Sequence, residues 1–244
     1  MTEEVGRGPV NIVVRGIDLA QLNTLRADGG FIFLNDRPFA TDQAEIFHSR
    51  VETATVNFDG LRANLSIFET VLLDCVPPKS LAFLIEPARK RFFATQFDQK
   101  VAERIAGAVR IIHSAETSRI IEGIRQLKGV GFGLTPSGDD FIAGLLAGLN
   151  LLDRLDGADR SALRKEIVAT ARSGNLLSNS FMALAADGFL FEGFKELVVA
   201  LLQGGADHIR RQTEKLVTLG ESSGSDMGVG FLLTMKDLLC YTET

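Results

Sequence analysis

The sequence predicts an α+β protein: a β-rich N-terminal half, a small sheet or partial barrel, followed by a mostly α-helical C-terminal half. Three observations carry this expectation. Residues 9–97 hold short runs of branched and aromatic residues separated by turn formers. From about residue 98 the apolar residues recur at helical spacing instead. The longest apolar run, Phe141 to Leu152, is bounded by aspartates and too short to span a bilayer, so it reads as a core helix. The division expected is a β-rich domain over 1–97 and a helical domain over 98–244.

The first half offers strand candidates at Val10 to Val14, Phe31 to Leu34, Val51 to Phe58, Ile67 to Val76, Leu81 to Ile85 and Arg91 to Phe97. Turn signals lie between them: Asp28-Gly29-Gly30, Asn35-Asp36-Arg37-Pro38, Asp59-Gly60 and Pro77-Pro78. Asp59-Gly60 stands between two alternating runs and predicts a hairpin. Asp18 to Ala27 reads as a short helix or turn segment, and His48 as a surface strand residue. No catalytic constellation is visible in this half.

The second half changes period. Val101, Ile105, Val109 and Ile111 show helical spacing, and Ile120, Ile121, Ile124 and Leu127 form a second periodic segment that Gly129 ends. Further helices are expected at about 137–154, 160–172, 178–187, 191–203, 206–219 and 224–240. Charged positions such as Arg164, Lys165 and Glu166 read as solvated faces. His113 and His208 have no metal-ligand spacing around them and read as structural.

Composition narrows the function classes. A net charge of −5 with scattered basic residues argues against a nucleic-acid partner. The N-terminus is acidic and has no apolar h-region, so no signal peptide is expected, and no membrane association. Cys75 and Cys240 fit neither a zinc pattern nor a disulfide framework and suit a reducing cytoplasm.

The chemistry is concentrated in residues 129–150. Gly129, Gly131 and Gly133 lead through Thr135, Pro136, Ser137 and Gly138 to a carboxylate pair, Asp139 and Asp140, and then to an unbroken apolar helix. Thr135 suits an N-cap, Pro136 a first helical position, and the acids a first turn where the helix dipole favours negative charge. Backbone N–H groups at such a tip are suited to a phosphate or carboxylate, yet the aspartates would repel one. They can bind Mg²⁺ that in turn meets the anion, or a cationic or amide N–H group of a substrate. The residues leave capping and binding both open.

A second copy lowers the weight of capping alone. Ser223, Gly224, Asp226 and Gly230 repeat the spacing of Ser137, Gly138, Asp140 and Gly144, and an apolar helix follows each. Small residues at matching depth would let the two helices pack closely, with both tips converging on one pocket. A third polar stretch, Thr170 to Ser180, brings Arg172, Ser173, Asn175, Ser178 and Asn179 beside apolar segments. Arg172 is the natural anion partner there, because its planar guanidinium can grip a carboxylate or phosphate with two parallel bonds.

The string from Gly131 to Gly144, Gly-Phe-Gly-Leu-Thr-Pro-Ser-Gly-Asp-Asp-Phe-Ile-Ala-Gly, resembles the signature of the AllH-like family, formerly labelled a putative carboxylase. The resemblance extends over roughly residues 100–240, with weaker support from Thr170 to Gly188 and Gly220 to Gly230. Two departures stand out. Phe132 replaces a proline of the family pattern, and Gly220-Glu221-Ser222-Ser223-Gly224-Ser225-Asp226 replaces a Gly-His-x-Ser-Gly-Trp-Asp type string.

What the resemblance implies is a subunit of an oxamate carbamoyltransferase in allantoin and purine nitrogen breakdown, acting beside FdrA-like and AllG-like subunits. The reaction would join oxamate and carbamoyl phosphate to give oxalurate and phosphate, or run in reverse. On that footing Asp140 and Asp226 are the expected catalytic residues, orienting the nitrogen or a Mg²⁺ ion. Thr135, Ser137, Gly138, Ser222, Ser223 and Gly224 would bind the anionic metabolite, with Asp139, Arg172, Ser173 and Asn175 in support. Two other readings stay open: a Mg²⁺-dependent hydrolase using Asp139, Asp140 and Asp226, and a non-catalytic metabolite-binding or scaffold subunit. No histidine stands near the motifs, which disfavours zinc, and no definite metal ligand is expected.

Overall fold

The computed structural model describes residues 7–9, 11, 22–42, 44–52, 57–113 and 116–240. A three-stranded antiparallel sheet, β1 (Leu25–Asp28), β2 (Phe31–Leu34) and β3 (Arg37–Ala40), precedes a mostly helical remainder. The helices are α1 (Phe58–Cys75), α2 (Gln96–Ile112), α3 (Thr117–Leu127), α4 (Ser137–Asp156), α5 (Ser161–Ala171), α6 (Leu176–Ala186), α7 (Glu192–Gln203), α8 (Ala206–Val217) and α9 (Ser223–Cys240). The predicted class, a small sheet followed by helices, is therefore observed.

The sheet follows from its turns. Asp28 pairs with Phe31 across Gly29 and Gly30, both at positive φ, and Leu34 pairs with Arg37 across Asn35, at φ 54°. Two-residue turns of this kind match the twist of the flanking strands. Asn35 also accepts the N–H groups of Asn23 and Thr24 on its Oδ1, at 2.8 and 3.1 Å.

Between residues 57 and 97 the expected strands give way to helix. Asn57 accepts the N–H groups of Asp59 and Gly60, so Asp59-Gly60 opens α1 and makes no hairpin. Leu61, Leu65, Phe68 and Leu72 are all buried, and their 4-3-4 spacing is a helical face that outweighs the β propensity of Ile67 to Val76. The candidates at Leu81 to Ile85 and Arg91 to Phe97 become 3-10 turns at Leu81–Leu84 and Pro87–Phe92 and then the start of α2. The candidates at Val10 to Val14 and Val51 to Phe58 fall mainly outside the described residues, and Leu25–Asp28, expected as helix or turn, is a strand.

All eight helices expected beyond residue 98 are present. The most buried is α4, in which every residue from Ser137 to Leu149 is buried. It packs along α9, with α3, α5 and α6 on its other sides, while α1, α8 and the turn at Leu81–Leu84 cover α9. One hydrophobic core runs from Val51 to Met235. Among the described residues no helix is long and apolar enough to cross a membrane.

Candidate functional site

Helices α4 and α9 run side by side in the same direction, and the contact is made by glycine. A Cβ on Gly144 would stand 2.0 Å from the Met227 carbonyl oxygen, and one on Gly230 would stand 2.2 Å from that of Phe141. Gly144 and Gly230 hold equivalent places in the two motifs, as do Phe141 and Met227, so the contact has an internal two-fold symmetry. Close parallel packing leaves both N-terminal tips at one end, and the tips meet.

The meeting is made by hydroxyls and carboxyls. Thr135 Oγ1 lies 2.9 Å from Ser223 Oγ and donates to Asp140 Oδ2 at 3.0 Å. Ser223 also favours the ionised Asp140 carboxyl, and reciprocally Ser137 favours that of Asp226. Ser222 Oγ donates to Asp226 Oδ2 at 3.0 Å, and Asp226 Oδ1 accepts the backbone N–H of Leu81 at 2.7 Å. Each motif serine thus acts on the aspartate of the other motif.

Electrostatics favour protons in this cluster. Asp140 and Asp226 are 2 % and 0 % exposed. Burial pushes the Asp140 carboxyl up to about 8, with a further push from the charge of Asp226 and opposition from the Ser223 and Thr135 hydroxyls. Burial likewise pushes Asp226 up to about 7, against the hydrogen bonds from Leu81, Ser137 and Ser222. A protonated Asp140 can donate as well as accept beside the Thr135 and Ser223 hydroxyls. The repulsion of an anion expected from the sequence is weakened accordingly.

The glycines at the tips do something other than expected. The Gly138 N–H donates to the Val130 carbonyl at 2.8 Å and the Gly224 N–H to that of Leu219 at 3.0 Å, so neither is left for an anion. Cβ atoms there would stand 2.2 Å from the Leu127 carbonyl oxygen and 1.8 Å from that of Leu216. These residues let the preceding helix, α3 or α8, end directly against the tip.

The remaining site candidates divide. Asp139 accepts the Gly129 N–H on Oδ1 at 2.7 Å. Asn175 caps α6 and donates through Nδ2 to the Leu134 carbonyl at 2.7 Å, tying α6 to the glycine-rich loop. Ser173 serves the same turn, its Oγ accepting the Asn175 N–H at 3.2 Å. Arg172 lines a separate groove of about 400 Å³ between α5 and α6, with Arg164, Lys165 and Asn179. Among the described residues no group of three or more His, Cys, Asp or Glu side chains could hold a metal ion.

Lys79, Ser80 and Leu81 were not among the residues the sequence marks as functional: the pattern puts a turn at Pro77-Pro78 and a strand at Leu81 to Ile85, although a serine before an apolar run is also a helix-start signal. Four buried side-chain atoms without a hydrogen-bond partner belong to the motifs or the segments beside them: Ser80 Oγ, Asp139 Oδ2, Ser178 Oγ and Ser225 Oγ.

Fold and cluster together define a helical protein built on two paired, symmetry-related helix tips that share buried carboxyls. Residues 127–235, which contain both tips, match the family model of oxamate carbamoyltransferase subunit AllH. The resemblance read from Gly131 to Gly144 holds, over a shorter span than residues 100–240. No curated protein and no solved structure matches the chain.

Proposed function

We propose that this chain is a subunit of an oxamate carbamoyltransferase-like enzyme and that its paired tips take part in carbamoyl transfer between phosphate and the oxamate nitrogen. The observation that carries the reading is the buried Asp140 and Asp226 pair, held by hydroxyls across the two tips within the span that matches the family. In the forward direction the oxamate nitrogen attacks the carbamoyl carbon, a C–N bond forms, the C–O bond to phosphate breaks, and the nitrogen gives up a proton. A carboxyl titrating near neutrality is matched to accept that proton and to return it in the reverse direction. Asp140 is the natural base, with Thr135 and Ser223 orienting the carbamoyl group and Ser137 and Ser222 holding Asp226. FdrA-like and AllG-like subunits would complete the assembly. Mg²⁺, if bound, would have to use Asp140 and Asp226 in their ionised forms.

The test is oxalurate formation from oxamate and carbamoyl phosphate, measured for the chain alone and with those partner subunits. The expected result is turnover in the assembly that falls by roughly 10²–10⁴-fold in Asp140→Asn. Full turnover in both Asp140→Asn and Asp226→Asn removes the catalytic role. A second reading, metabolite binding without chemistry, is favoured by how far the tip side chains already satisfy one another. Ligand binding with no oxalurate in any assembly would select it.

A further inference from the structure

We infer that the segment Lys79-Ser80-Leu81 forms a third wall of this site and that Lys79 receives the anionic end of the ligand, leaving its amide end toward the carboxyls. The inference rests on the binding reading of the paired tips. It starts from the position of the segment, which lies outside the span that matches the family.

Leu81 is the first residue of a 3-10 turn, and its N–H reaches Asp226 at 2.7 Å. Ser80 immediately precedes it in the chain, one residue from the N–H that binds Asp226. Its hydroxyl makes no capping bond, is without a partner, and belongs to a residue only 2 % exposed. A buried, unpartnered hydroxyl one residue from the Asp226 contact is a donor and acceptor held ready for a ligand.

Lys79 supplies the charge. The motif side chains around the tips are carboxyls and hydroxyls, the Gly138 and Gly224 N–H groups are engaged, and Arg172 stands in another groove. The Lys79 ammonium lies 5.8 Å from the Phe132 ring centroid, beside the glycine-rich loop that leads into the first motif, while Leu81 binds Asp226 of the second. Asp98 holds it at 2.9 Å. An ammonium has three donors, so two remain for a ligand. The side chain is half-exposed while Asp140 and Asp226 are buried, so the positive charge is the solvent-accessible one and the carboxyls are the enclosed ones.

That polarity fits a small molecule with an anionic group at one end and an amide at the other. Oxamate and carbamoyl phosphate both have this form, one with a carboxylate and one with a phosphate.

The experiment is calorimetric titration of the full chain with inorganic phosphate, oxamate and carbamoyl phosphate, in wild type, Lys79→Met, Lys79→Arg, Ser80→Ala and Asp140→Asn. Lys79→Met should raise Kd by roughly ten- to a hundredfold, the usual weight of a charge-assisted hydrogen bond. Lys79→Arg should restore most of the affinity, and Ser80→Ala should weaken binding several-fold. Inorganic phosphate against oxamate shows whether the ammonium takes phosphate, carboxylate or both. If Lys79→Met does not fold, Lys79→Gln, which can still donate to Asp98, takes its place. Unchanged affinity in the Lys79 variant with loss in Asp140→Asn overturns this inference and leaves the paired-tip site standing. Unchanged affinity in both, or no binding by wild type, overturns the site as well.

Discussion

Asp140 and Asp226 link burial to pH. Each carboxyl is held above its ordinary range in the fold, so the folded chain binds more protons than the unfolded chain between about pH 4, where a free aspartate ionises, and the raised values of about 8 and 7. Their contribution to stability is therefore full at low pH, falls as pH rises through that window, and levels off above it. Asp98 and Glu192 act in the opposite sense: Lys79 and Arg7 hold their carboxyls low, so their contribution is lost on acidification. The melting temperature of Asp140→Asn relative to wild type should thus rise steadily from pH 5 to pH 8. A relative stability that is flat with pH would show that Asp140 ionises normally. The equivalent placement of these two residues at the two tips was legible in the sequence because the Ser-Gly-x-Asp spacing repeats. Their protonation was not, because it depends on what α4 and α9 bury around them.

Among the elements, α4 and α9 show how a short motif fixes a packing geometry. Gly144 and Gly230 each admit the other helix's backbone to a distance no side chain allows, and the tips meet as a consequence. Gly144→Ala and Gly230→Ala must push the helices apart. Each should cost at least about 1–3 kcal/mol, the usual penalty of overpacking, read from urea midpoints. A neutral Gly144→Ala would show that the two helices can move apart there without cost. Helix α1 shows the limit of reading by local pattern. A run such as Ile67 to Val76, apolar but for Glu69, Thr70 and Asp74, suits a strand or a helix, and only length and capping separate them. Asn57 was the available signal, since its side chain accepts two of the first N–H groups of α1. Asn57→Ala should lower stability by about 1 kcal/mol, with no change in the cooperativity of unfolding.

At the scale of the whole molecule, the change of period near residue 98 marks where helices become easy to recognise, not where the helical core begins. The C-terminal helices were legible because amphipathic periodicity is a local property of each segment. The attachment of α1 to them is a long-range property, carried by contacts with α7, α8 and α9 that no local window contains. Leu61, Leu65, Phe68, Val71 and Leu72 are buried along α1, together worth about 10 kcal/mol at the usual 1.5–3 kcal/mol per side chain. That is comparable to the net stability of a domain, roughly 5–15 kcal/mol. The Leu81 N–H that meets Asp226 would be lost with them. A chain beginning at residue 98 should therefore fail to unfold cooperatively. One beginning at residue 57 should keep a single transition at a lower midpoint, having lost Val51 and the Ser49 carbonyl that accepts the Leu190 N–H. Calorimetric scans of the two truncations against the full chain decide the matter. A cooperative transition in the shorter chain would make residues 98–244 a self-sufficient unit and α1 an accessory that closes over it.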